Sequence, residues 1–230
     1  MGSFVELTAV DGAKTSAYVA MPEGKPRGAV VVLQEIFGVN SHIRSVADRY
    51  ASQGYVVVAP AMFARVKANV ELGYTEEDMK TGFALKGAVE ALPEPGALRD
   101  VEAAVAHAAT LVPGGKVGVV GFCWGGLMTW RAACTLPSVS AAVCYYGGGM
   151  TGEQEASRQA LCPVLAHFGS KDHYISLESV EAFKLAQPKV QVYVYEADHG
   201  FNCGQRGSYS AAAAAQAMER TLAFFGEHLA

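Results

Sequence analysis

The residues best suited to chemistry in this chain gather in three short stretches: GFCWGG at 121–126, GSKDHY at 169–174 and DHGFNC at 198–203. A cysteine between glycines, after the apolar run KVGVV and before the helix-like LMTWRAA, has the pattern of a nucleophile on a sharp strand-to-helix turn. Such a turn imposes strained backbone angles, and glycine at 121 and 125 spares its neighbours a collision. The helix that follows aims its first N–H groups and positive dipole end at the sulfur, which favours a thiolate and any oxyanion formed beside it. Cys134, Cys144 and Cys162 fall within helix or strand segments and read as small apolar filler.

A thiol nucleophile needs a base, and the base needs an orienting acid. In the order nucleophile, acid, histidine, the chain offers Asp172 and His199, each just past the end of an expected strand, where the crevice of an open α/β sheet is built. The other histidines fit the role less well. His107 lies in a helical segment, His42 in a helix first turn and His228 near the C-terminus, all read as solvated, while His167 falls inside a strand and His173 adjoins the acid with no strand between. Asp198, beside His199, suits a loop-capping role better than an orienting one.

These groups require a frame. Apolar runs of strand length at 30–33, 55–59, 116–121, 141–145, 164–168 and 190–195 alternate with segments of helical period that begin near Ser41, Glu76, Gly96, Trp124, Ser176 and Ser208. That alternation predicts a mostly parallel central sheet with helices on both faces, and strands buried on both sides. The first 22 residues alternate instead and turn at Asp11-Gly12, predicting a hairpin at the sheet edge.

Composition narrows the partners. With 230 residues, 51% hydrophobic and 17% charged, and with no linker-like stretch, the chain reads as one domain over 1–230. A net charge of −4 without any basic run argues against nucleic acid. No apolar run approaches the roughly 20 residues needed to span a bilayer, and no secretory signal is recognisable at the start. Five cysteines without CxxC pairs suggest neither a disulfide framework nor a metal site, which fits reduced thiols in the cytoplasm.

Taken together, QEIFGVN at 34–40, GFCWGG around Cys123, YYG at 145–147, GSKDHY with Asp172 and DHGFNC with His199 resemble the dienelactone hydrolases of the α/β-hydrolase superfamily. The resemblance covers nearly the whole chain and implies an α/β-hydrolase fold. It also implies that Glu35 accepts the Cys123 proton once substrate displaces its carboxylate from a resting ion pair, and that the backbone N–H groups of Ile36 and Trp124 form the oxyanion hole. Family substrates are small carboxylate-bearing lactones held by arginines; Arg206 matches one such contact, Lys80 lies closest to the second, and Tyr145 is added as a substrate contact. The expectation is a cofactor-free and metal-free hydrolase of a small lactone or ester, working as a monomer, with an oligomer left open. The alternatives are a hydrolase of another small ester or thioester, or a non-catalytic binding protein on the same fold.

Overall fold

The computed structural model describes residues 2–229. β1 (Ser3–Thr8) and β2 (Lys14–Ala20) form an antiparallel hairpin whose turn uses the positive φ of Gly12, 83°. The core strands are β3 (Ala29–Leu33), β4 (Val56–Pro60), β5 (Val117–Phe122), β6 (Ala141–Tyr145), β7 (Val164–Gly169) and β8 (Gln191–Tyr195). All eight join one sheet in the order β1-β2-β4-β3-β5-β6-β7-β8, with β3 to β8 parallel to one another and β2 antiparallel to β4.

Strands β3, β4, β5, β6 and β7 are buried at every position, as their Val- and Ala-rich composition requires of a sheet covered on both faces. The expectation of two-sided burial fails for β8, where Gln191, Tyr193 and Val194 are exposed. As the last strand it has one covered neighbour only, so its outer positions meet solvent.

Helices α1 (Ser41–Ser52), α2 (Glu76–Glu90), α3 (Leu98–Leu111), α4 (Trp124–Thr135), α6 (Leu177–Ala186) and α7 (Ala211–His228) correspond to the six expected helices. A short α5 (Glu153–Ala156) was not legible in the pattern. Asn40, Thr75, Ser176 and Ser210 cap their helices by accepting a backbone N–H, which places the last helix start two residues beyond the expected Ser208. No helix among the described residues is long and apolar enough to cross a membrane.

The most buried helix is α4, which begins where β5 ends. The close packing there depends on absent side chains: a Cβ on Gly125 would meet the backbone oxygens of Leu33 and Gln34, the latter at 2.5 Å, and one on Gly126 would lie 2.7 Å from the Tyr145 oxygen. Gly125→Ala is therefore expected to lower stability by at least about 2 kcal/mol, read as a lower urea midpoint at unchanged slope. A midpoint within error of the parent would show that this junction has room to relax.

Candidate active site

Cys123 occupies the single residue between β5 and α4 and holds φ 55° and ψ −117°, a combination that side-chain-bearing residues avoid. Its N–H donates to the Tyr145 oxygen at 3.0 Å, which pins the bend to the end of β6. The sulfur faces a cavity of about 280 Å³. Ile36, Phe37, Trp124, His199 and Arg206 line the cavity with it, and Met79, Phe83 and Lys86 of α2 form the opposite wall. A larger surface cleft of about 420 Å³ beside Cys162 lies at the other ends of β7 and β8, remote from these groups.

The loop after β7 supplies Asp172 and the loop after β8 supplies His199, and the two meet: His199 Nδ1 donates to Asp172 Oδ2 at 2.8 Å. The other Asp172 oxygen accepts the N–H groups of Tyr174 at 2.8 Å and Ile175 at 3.1 Å, so the carboxylate is fixed from both sides. Asp198 accepts the His199 backbone N–H at 2.6 Å and leaves the ring to Asp172. Two tyrosines hold the imidazole edge-on, Tyr146 and Tyr174, each with ring centroids 5.1 Å from it. With Nδ1 committed to Asp172, the ring still borders the cavity that Cys123 lines, and the nearby sulfur favours its charged form. Burial alone would push the imidazole pKa down, but the hydrogen bonds to Asp172 and to the sulfur outweigh it and carry His199 up to about 10.

Glu35, on the loop after β3, is 1% exposed, and burial drives its pKa up. Arg206 opposes that shift from 3.5 Å, a long contact for an ion pair, and Glu35 Oε2 has no hydrogen-bond partner, although the Tyr74 hydroxyl is near enough to ease its charge slightly. Arg206 in turn packs over Phe37 and Tyr74. Gly200, at φ 79°, makes room for it, because a Cβ there would lie 2.5 Å from the guanidinium. Gln34 fixes the same loop: its side chain accepts the Met62 N–H at 3.0 Å and donates to the Glu35 backbone carbonyl at 3.2 Å.

Three expected positions are displaced. Lys80 lies on a different face of α2, beside Glu76 and Glu77. Residues 79, 83 and 86 share one helical face, and residue 80 is rotated by about 100° from 79, so Lys86 is the lysine that reaches the cavity. Lys86 pairs with Glu90 at 2.6 Å, and the other Glu90 oxygen accepts the Trp124 indole N–H at 3.2 Å, a chain that joins α2 to the residue after Cys123. Tyr145 turns away from the cavity, with its hydroxyl 2.7 Å from Thr221 of α7, because alternate strand residues point to opposite sheet faces. His42, expected in solvent, is 4% exposed under α1, and burial pushes it down to about 4. Tyr146 and Glu90 were missed, since nothing in local spacing reveals contacts made across the sheet.

The dienelactone hydrolase family model matches residues 15–229. The chain is 40% identical over 217 residues to a Synechocystis sp. protein provisionally named a carboxymethylenebutenolidase, covering 87% of this chain and 86% of that one. It is 34% identical over 227 residues to the carboxymethylenebutenolidase of Pseudomonas putida, covering 96% of this chain and 94% of the relative. A Klebsiella pneumoniae crystal structure, provisionally assigned as a dienelactone hydrolase, superposes with a TM-score of 0.82 at 31% identity and covers 99% of both chains.

Because the folded pKa of His199 is raised, its pairing stabilises the fold fully below the unfolded value of 6.5 and ceases to do so as pH climbs through about 10. Cys123→Ser removes the sulfur's share of that shift. An NMR titration of the His199 ring proton should then show a midpoint moved down from about 10 toward 6.5. An unmoved midpoint would mean that the sulfur and the ring do not interact.

Proposed function

Since the chain belongs to the dienelactone hydrolase family and is a hydrolase of the carboxymethylenebutenolidase type, we propose that it opens small esters or lactones through Cys123, with His199 oriented by Asp172 and Glu35 as the group that ionises the thiol. The observation that supports this reading is the His199 imidazole bonded to Asp172 and lining one cavity together with Cys123. One domain spanning the chain supplies every group, and no cofactor enters the scheme.

In the resting enzyme Arg206 keeps Glu35 ionised. A substrate anion entering beside Arg206 draws the guanidinium away; Glu35, buried and short of hydrogen bonds, becomes a stronger base and takes the thiol proton. The Cys123 thiolate attacks the carbonyl carbon, and the N–H groups of Ile36 and Trp124 receive the oxyanion, each contributing roughly 3 kcal/mol. The carbon–oxygen bond breaks as the His199 imidazolium protonates the leaving oxygen, leaving a thioester. Neutral His199 then takes a proton from water, hydroxide adds to the thioester, and the acid departs with release of the thiolate. The proton on Glu35 returns to the sulfur, so the sum is one ester and one water consumed, one acid and one alcohol or enol formed.

Lys86, which lines the same cavity as Cys123, Met79 and Phe83, gives it a second cation and supports a substrate that carries a carboxylate away from the scissile bond. As a point charge it would tolerate varied anion orientation better than a guanidinium fork.

Cys123→Ala is expected to reduce kcat for p-nitrophenyl acetate and for dienelactone by at least about 10³-fold. Glu35→Gln should reduce it by about 10² to 10⁴-fold without abolishing iodoacetamide labelling of Cys123 at high pH. Full turnover by Cys123→Ala would remove the proposed nucleophile.

A further inference from the structure

Behind the nucleophile lies a polar cluster that the proposed chemistry uses only in part. Glu35 from the loop after β3, His42 from the first turn of α1 and Cys203 from the loop before α7 are all buried, and each places one potential ligand atom within 4.8 Å of the other two. Glu35 Oε2 and His42 Nε2 also lack any hydrogen-bond partner, although their residues are 1% and 4% exposed. Buried polar atoms are ordinarily satisfied, so two such atoms in one cluster call for an occupant. His42 and Cys203 have no part in the hydrolysis described above.

We propose that Glu35, His42 and Cys203 form a binding site for a thiophilic divalent cation of the zinc class, and that filling this site inhibits the enzyme. A carboxylate, an imidazole and a thiolate are the donor set that zinc accepts, and with the thiolate and carboxylate ionised the set neutralises the ion. Tetrahedral zinc, with bonds of about 2.0 to 2.3 Å, has ligand atoms about 3.3 to 3.8 Å apart. With every donor pair already within 4.8 Å, closing on an ion requires a contraction of at most about 1.5 Å.

Arg206 is the cation that the ion displaces. It holds Glu35 only at 3.5 Å and borders the cavity, so its guanidinium can turn into that space as the ion enters from the same side. The Tyr74 hydroxyl, which receives the Asn40 side-chain N–H at 3.2 Å, lies near enough to ease the charge on both Glu35 and Cys203. Once the ion holds Glu35, the carboxylate is no longer free to take the Cys123 proton. The inhibitory consequence rests on the role proposed for Glu35; ion binding does not.

The test therefore separates the two. Co²⁺ is titrated into Cys123→Ser protein, which leaves Cys203 as the thiol of the cluster. One equivalent should produce a near-ultraviolet thiolate-to-cobalt charge-transfer band, absent from Cys123→Ser/Cys203→Ser. With Cys123 intact, Zn²⁺ should inhibit reversibly on addition of EDTA. Cys203→Ser and His42→Gln, with metal-free turnover near that of the parent, should need at least about tenfold more Zn²⁺ for half-inhibition. A missing band, or one that survives loss of Cys203, overturns the site. A Zn²⁺ sensitivity unchanged in both variants assigns inhibition to Cys123 and His199 and overturns the proposed consequence.

Discussion

The structure depends on one strained residue. Cys123 adopts a positive φ at the one point where β5 must become α4, and a conformation of this kind costs about 1 to 3 kcal/mol that the surroundings must offset. The offset comes from packing: α4 buries nine of its twelve residues, and its first turn presses onto the ends of β3 and β6 so closely that Gly125 and Gly126 cannot carry a side chain. Closeness and strain are two sides of one arrangement. If the helix stood off by one methyl group, the Trp124 amide, assigned above by proposal to the oxyanion, would move away from the end of β3.

The same packing sets the electrostatics. Because α4 closes over the end of β3, Glu35 has almost no contact with water, and Arg206, the cation that chiefly supports its charge, lies at a distance too long to satisfy it. His199 shows the opposite balance: it is also buried, yet a short bond to a fixed carboxylate and contact with the sulfur keep its charged form favoured. Two buried ionisable groups within one cluster thus have pKa values raised for different reasons. Desolvation makes Glu35 ready to gain a proton, and hydrogen bonding to Asp172 makes His199 ready to keep one.

Features set by local pattern were legible in the sequence. The six core strands, the edge hairpin and the glycine-flanked bend at Cys123 follow from apolar runs, turn residues and steric need, each contained within a few neighbouring positions. The meeting of Asp172 with His199 was legible too, because consecutive parallel strands bring their trailing loops to one edge. Side-chain direction was harder. Lys80 and Lys86 differ in helical phase, and choosing between them requires knowing which face of α2 covers the loop at Ile36, a contact made possible by Gly82, whose Cβ would strike the Ile36 oxygen. Tyr145 and Tyr146 differ by one step of the pleat, and the end of β6 decides which of them touches His199. His42 stands in a helix first turn, ordinarily a solvated place, and is buried because the loops carrying Glu35 and Cys203 cover it.

The two cations of the cavity have unlike surroundings, and the difference bears on selectivity. Arg206 packs over Phe37 and Tyr74 beside Glu35, so any anion it attracted would compete with a buried carboxylate already there. Lys86 is paired with Glu90, whose second oxygen is occupied by the Trp124 indole. An anion that drew Lys86 away would leave Glu90 bound to the indole alone, and the indole is itself stacked on Phe63 at 5.2 Å, so the Trp124 backbone would keep its place. In the mechanism proposed above, movement of Arg206 changes the charge on Glu35, whereas movement of Lys86 does not. Under that proposal, recognition at the Lys86 end can vary with substrate while activation at the Arg206 end stays coupled to binding.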